Sequence, residues 1–449
     1  MKKIFQYIML AVVTIVMASC ISDIEEATTT AGKSNVQLVV GEFPAFGDSQ
    51  TRAIGTPDEG KTSWAEGDEL LLEIDNTSYG RHNATFTYNG KSWELTSGEL
   101  VYREGDPAYI SHVYYAPNYK WEAGKLVLKE GKVAGTDEYI EGNARITGNG
   151  ETITVSFAEA TRNYSRLRIA TLPNEQITVD TEYFTPAGSS DMEQNGNYTL
   201  TSDEKGNAYL YGTFENNSEV TVKYREAALT TYTFSQATES AKSYALDATV
   251  ISANSAEEIK SAIEQKVADG KTTIRLNLAP NAGTNEFMAI REAIKGAAPN
   301  DLGTIELTII GVETIPEEAF YKMLQLKSVR MSDVKEIKKY AFKECQYLTV
   351  VEAPSLNKLC SGAFKKCVQL AKLTFGPINY ADERNWPIFE YITPNIDLIL
   401  SDYQKEMIET DDYLYTANND RDYAGSDEHN SKNFLGREFK SITCRYPVE

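Results

Sequence analysis

Residues 313–334 read ETIPEEAFYKMLQLKSVRMSDV, residues 336–358 read EIKKYAFKECQYLTVVEAPSLNK, and residues 359–376 read LCSGAFKKCVQLAKLTFG. Ile315, Ile337 and Leu359 lie 22 residues apart, and so do Ala319, Ala341 and Ala363 with the Phe320, Phe342 and Phe364 that follow them. Leu326, Leu348 and Leu370 keep the same step, as do Val329, Val351 and Leu373. Five apolar positions in one register mark a repeat. A period near 22 is that of a solenoid, in which each unit stacks on the next to bury a face it cannot bury alone.

These residues resemble the BspA-type leucine-rich repeat, roughly I-x-x-x-A-F-x-x-C-x-x-L-x-x-V, with Cys345 and Cys367 at the cysteine position and Met323 there in the first unit. The resemblance implies a stack of short parallel strands with a helical turn on the opposite face, and a binding or adhesion surface. Upstream, Ser255–Ala268 reads as a capping helix: Ser255 is a candidate N-cap, Glu258 completes a capping box, and Ile259, Ile263 and Val267 form one stripe. The segments 273–278 and 305–309 read as strands around a second helix over 286–296. The segments 396–400 and 439–444 read as strands that close the stack.

Strand alternation separates the inward residues from the outward ones. With Leu307, Val329, Val351 and Leu373 inside, the outward positions are Glu306, Thr308, Ser328, Arg330, Val350, Glu352, Lys372 and Thr374. Arg275, Asn277 and Asp397 extend the rows. Seven of these, Glu306, Thr308, Ser328, Arg330, Glu352, Lys372 and Thr374, are the candidate ligand-binding residues. The same row also reads as pairing that keeps an open sheet soluble, worth about 0.2–1 kcal/mol per pair.

Residues 1–20 form a targeting segment, with Lys2 and Lys3 at its basic start, an apolar stretch over 4–17 and Ala18-Ser19-Cys20 at its end. The layout resembles the bacterial lipoprotein signal. That implies cleavage before Cys20, acylation of its thiol and new amine, and an outer-membrane lipid as partner; several acyl chains anchor stably where one does not. An ordinary secretory signal with an incidental cysteine is the other reading. Residues 21–34 are a polar tether, whose Asp23, Glu25 and Glu26 resemble a sorting signal for display on the outer-membrane surface.

Residues 35–250 read as strands throughout, short and rich in Val, Tyr and Thr, which suggests two antiparallel sandwiches, 35–150 and 151–250, ahead of the repeat domain at 251–449. The fold class expected is mainly β: an antiparallel sandwich region followed by a short α/β solenoid. Thr51-Arg52-Ala53, Thr62–Asp68, Tyr114-Tyr115-Ala116-Pro117 and Lys242-Ser243-Tyr244 resemble the fimbrillin-like family in their order. That family contains pilus subunits and stand-alone surface lipoproteins. In the pilus-building members, an arginine-specific cut opens an edge for strand addition by a neighbouring subunit. Arg52 is the candidate processing position here; the competing reading is a surface arginine in a loop.

The net charge of −21 argues against a nucleic-acid partner. Three histidines without short spacings, and no nucleophile elbow, phosphate loop or dinucleotide fingerprint, give no support for an enzyme. No cofactor or metal is expected: cysteines 345, 360, 367 and 444 lack zinc spacing, and Asp420, Asp422 and Asp427 miss the EF-hand pattern. Cys345 and Cys367 occupy equivalent points on adjacent rungs, at a strand spacing of about 4.8 Å that a disulfide can bridge; inward-facing free thiols are the reading preferred over that bridge. The function expected is a lipid-anchored surface adhesin or binding protein whose repeat face binds a protein or a host or cell-surface ligand. A pilus tip or accessory subunit and a glycan-binding lipoprotein of an importer are the alternatives.

Overall fold

A computed structural model describes residues 37–44, 46, 61–77, 80–99, 108–147, 152–157, 162–253, 255–381, 388–402, 433–434 and 437–445. The chain is mainly β and separates into two compact units. The first comprises described residues of 1–220 and 232–247, the second 221–231 and 248–449.

In the first unit, β1 (Gln37–Val40), β2 (Glu69–Asn76), β3 (Gly80–Tyr88), β4 (Trp93–Gly98) and β5 (Ala108–Tyr115) precede a hairpin of β6 (Tyr119–Glu122) and β7 (Lys125–Leu128). Then come β8 (Ile140–Thr147) and β9 (Thr152–Ser156). One sheet has the order β1-β9-β8-β5-β2-β3-β4. Alternation supplies its core: Leu70, Leu72 and Ile74 of β2 pack with Phe86, Val113, Ile140, Ile153 and Val155. The border expected at 150/151 therefore needs correction. β9 pairs antiparallel with β8 and parallel with β1, so the first sheet continues to Ser156. A turn inside a hairpin and a linker between sheets look alike in composition; only the pairing separates them.

The second sheet is built from β10 (Ser165–Ala170), β11 (Gln176–Pro186), β12 (Glu193–Thr201), β13 (Asn207–Phe214), β14 (Glu219–Tyr224), β15 (Ala227–Thr233) and β16 (Ser243–Asp247). Its order is β15-β14-β11-β13-β10-β16, with β12 beside β11. Within the first unit, Arg162 is fully buried and ion-paired to Glu138 at 3.2 Å; it also donates to the Pro44 carbonyl. Tyr164 donates to the same Glu138 carboxylate at 2.6 Å. The Arg162 guanidinium lies 4.1 Å from the Phe46 ring centre, so a buried charge is satisfied by a carboxylate, a carbonyl and an aromatic face.

In the second unit, β17 (Ile251–Ala253), α1 (Ala256–Ala268), β18 (Thr273–Leu278) and α2 (Thr284–Ala297) lead into β19 (Ile305–Ile310). The Ser255 hydroxyl accepts the Glu258 amide at 3.2 Å, the N-cap read from sequence, and Ile259 and Ile263 are buried. The repeats then alternate long and short strands: β20 (Thr314–Ile315), β21 (Leu326–Met331), β22 (Glu336–Ile337), β23 (Val350–Ala353), β24 (Lys358–Leu359), β25 (Lys372–Phe375), β26 (Tyr380–Ala381) and β27 (Asp397–Ser401). After β28 (Asn433–Phe434) and β29 (Arg437–Glu438), β30 (Ser441–Arg445) pairs parallel with β27. An eight-stranded sheet of order β17-β18-β19-β21-β23-β25-β27-β30 forms one wall, and the two-residue strands β20-β22-β24-β26 form a second.

The 22-residue step is visible atom by atom. Leu307 pairs with Val329, Val329 with Val351, and Val351 with Leu373. Phe320, Phe342 and Phe364 are buried and stacked, with ring centres 5.1 and 5.4 Å apart. The stack runs further than the repeat did in sequence. Phe287 of α2 meets Phe320 edge-on at 5.6 Å, and Phe389 stacks on Phe364 at 5.7 Å. Phe389 belongs to a fourth unit hidden in the sequence because its step is 25 rather than 22, as the pairing of Leu373 with Leu398 shows. One core runs from Ala253 to Phe439.

Candidate functional site

The long strands β23, β25 and β27 of the solenoid bury every second residue and turn the others outward. In β21 Leu326, Val329 and Met331 are buried, while Lys327 and Arg330 are exposed. The parallel register assembles two rows on this face. Thr308, Arg330, Glu352 and Thr374 form one, and Glu306, Ser328, Val350 and Lys372 the other. The sequence-derived candidates thus share one face, in the rows expected of them.

Their environments differ. The Arg330 Nε donates to Glu352 Oε2 at 2.9 Å, and Lys372 approaches the same carboxylate at 3.9 Å. Lys327 pairs with Glu306 at 2.7 Å. At the far end Ser441 and then Lys440 donate to Asp397, which holds that carboxyl below its ordinary range. Such exposed pairs are screened by water and hold the face together only weakly. Thr308 and Arg275 are not available to a ligand: both are 5% exposed, and Arg275 Nε donates to the Leu229 carbonyl at 2.6 Å. The hydrogen bond to Leu229 ties Arg275 to the segment 221–231 of the same unit, a contact that no local sequence signal reports.

The opposite face is made of turns, and it has its own ladder. In each repeat two positions adopt left-handed backbone: Glu318, Tyr340 and Gly362, then Lys322, Glu344 and Lys366. Glycine alone takes this conformation freely; each of the others costs about 1–2 kcal/mol. The geometry is retained because it aims amides along the stack. Glu318 N donates to Lys339 O, Phe320 N to Ala341 O and Lys322 N to Lys343 O, and Tyr340 N, Phe342 N and Glu344 N repeat the pattern one rung on.

Aromatic rings absent from the strand face lie here. Tyr321 and Tyr340 are half-buried on adjacent turns. Lys339 and Lys343 stand 4.8 and 4.5 Å from the Tyr340 ring centre, and Lys322 and Lys343 each stand 5.1 Å from that of Tyr321. Reading the strand face alone missed this group. The signal was nevertheless present, because Tyr321 and Lys343 occupy the same position of successive repeats.

The cysteines of the stack are structural. Cys345 donates to Phe320 O at 3.0 Å and Cys367 to Phe342 O at 2.9 Å, both as free, buried thiols. Burial pushes the Cys345 thiol up to about 12, and that of Cys367 also rises well above its ordinary value. No group of three metal-ligating side chains occurs among the described residues, and no helix among them is long and apolar enough to cross a membrane. Cys20, Arg52 and the aspartates 420, 422 and 427 lie outside the described residues.

Comparison with known families bears on this stack. Residues 302–394 match the BspA type leucine rich repeat region (6 copies). The match spans the four phenylalanine-stacked units from Phe320 to Phe389. No curated protein matches the chain. Among solved structures, a candidate cell adhesion protein of Bacteroides fragilis aligns with 11% identity over 48% of this chain and 92% of its own, with a TM-score of 0.24. The minor pilin GBS52 of Streptococcus agalactiae aligns with 9% identity over 48% of this chain and 94% of its own, with a TM-score of 0.17. Alignments at these scores carry no structural argument.

Proposed function

We propose that this protein is a lipid-anchored adhesin of the outer-membrane surface, whose solenoid binds a protein or cell-surface ligand. The observation that supports it is the rigid, two-walled repeat. Six candidate residues, Glu306, Ser328, Arg330, Glu352, Lys372 and Thr374, sit on one regular face with their backbones fixed by parallel pairing. A preorganised surface loses little conformational freedom on binding. The match of residues 302–394 to a leucine-rich repeat region is in keeping with a recognition module. Cys20 is the anchor in this reading, and its acyl chains hold the protein to outer-membrane lipid.

The test is adherence. Cells that produce the protein should bind immobilised extracellular-matrix proteins or epithelial cells, and cells carrying Arg330→Ala with Lys372→Ala should bind them less. Cys20→Ala should move the protein from the membrane fraction to the soluble one and abolish adherence with it. Membrane retention of the Cys20 variant would defeat the anchor, and undiminished adherence by the strand-face variant would defeat the assignment of that face.

A further inference from the structure

The three 22-residue repeats carry a net positive charge, in contrast to the rest of the chain. Residues 313–374 hold eleven Lys and Arg against seven Asp and Glu, a net of +4 within a chain of −21. Part of that charge is cancelled along the stack: Lys335, Lys358 and Lys322 reach Glu313, Glu336 and Glu344 at 2.5, 2.7 and 3.7 Å. Lys338, Lys339 and Lys343 have no carboxylate within 4.0 Å among the described residues. Lys339 and Lys343 instead rest over tyrosine rings, and Lys343 is shared between Tyr321 and Tyr340. A ring face is a weaker partner than a carboxylate and leaves the ammonium charge available to an outside anion.

These side chains also start from fixed points. Tyr340 is left-handed, and Lys339, Ala341 and Lys343 all accept amides of the preceding turn through their carbonyls. The result is two half-exposed aromatic rings separated by one ammonium and flanked by two more. A lysine that turns from its ring to an outside anion uncovers that ring, whose apolar face and hydroxyl edge suit the C–H face of a sugar. The ammoniums suit carboxylate or sulfate groups on that sugar.

We propose that Tyr321, Tyr340, Lys339 and Lys343 form a binding site for an acidic glycan chain, in which the lysines take its carboxylates or sulfates and the tyrosines its sugar faces. It rests on the reading that the solenoid is a recognition module, and places a second ligand class on the face opposite the strand rows.

The full-length protein, immobilised, is tested against polygalacturonate, dextran sulfate and neutral dextran. At least one of the two acidic polymers should bind, with an affinity that falls as salt rises, and neutral dextran should not. Lys339→Gln with Lys343→Gln should weaken binding about tenfold or more. Tyr321→Leu with Tyr340→Leu, which leaves every charge in place, should weaken it similarly, whereas Arg330→Gln with Lys372→Gln on the strand face should not. Thermal melts confirm that each variant is folded; if the tyrosine pair is not, Tyr321→Leu alone serves. Failure of both acidic polymers to bind overturns the proposal, as does full binding by the folded tyrosine variant, which would reduce the site to a patch of charge. Adherence that persists without acidic-glycan binding removes this inference alone and leaves the adhesin reading standing.

Discussion

Replacing Phe342 by alanine probes the repeat at its centre. The ring is fully buried, lies 5.1 Å from Phe320 and 5.4 Å from Phe364, and is nearly parallel to the latter at 8°. Its carbonyl accepts the Cys345 amide and the Cys367 thiol, and its amide donates to Ala363. The substitution leaves those backbone bonds in place and removes only the ring. The lost transfer energy and the residual cavity together amount to about 3–5 kcal/mol for a phenylalanine in a core that cannot collapse. Collapse is hindered here because both neighbours are tied to their own rungs by the turn ladder. At a urea dependence of about 2 kcal/mol per molar, the unfolding midpoint of the solenoid should fall by about 2 M. Stability in a stacked array is a sum over neighbouring units, so the loss should spread along the repeats. Hydrogen exchange across a urea series on the intact protein reads this directly. Peptides from 305–381 should lose protection at lower urea, while those from β2 and β3 should not. Gln346, exposed on the same turn, is the control, and Gln346→Ala should stay within about 0.5 kcal/mol. Equal small effects from the two substitutions would refute the register, and with it both faces derived from it.

Three further outcomes are expected. Cys345 and Cys367 should resist a thiol reagent at pH 8 in the folded protein and react fully in denaturant. Burial raises both thiols, so they stay protonated well above that pH; rapid labelling of either would contradict their placement. Arg162→Ala should destabilise the sandwich unit by about 3–5 kcal/mol, because it strands the Glu138 carboxylate without its ion pair. A midpoint shift below about 1 kcal/mol in a urea melt would show that water solvates the site. Protein isolated from its own cells should lack an N-terminus at Ala53 and should not run as SDS-resistant ladders; finding both would replace the stand-alone reading with strand-exchange assembly after a cut at Arg52.

Local periodicity determined much of this protein. The 22-residue spacing of Ile315, Phe320, Leu326 and Val329 required a stacked core, and alternation about Val329 and Val351 assigned outward rows that the pairing reproduces. The α1 cap was legible because Ser255 and Glu258 act within one helical turn. Such signals survive in sequence because the residues that cause them are neighbours, or recur at a fixed step. The tertiary structure decided the rest, where the partners are distant and follow no period. The fourth repeat escaped notice because an insertion of three residues shifts Phe389 and Leu398 out of step, although the Phe364 ring still requires a stacking partner. The first sheet extends through Thr152–Ser156 because β9 finds β1 across more than a hundred residues of chain. Alternation turns Thr308 outward, yet it is buried, because alternation orders a side chain within its own strand and carries no information about what lies over that strand.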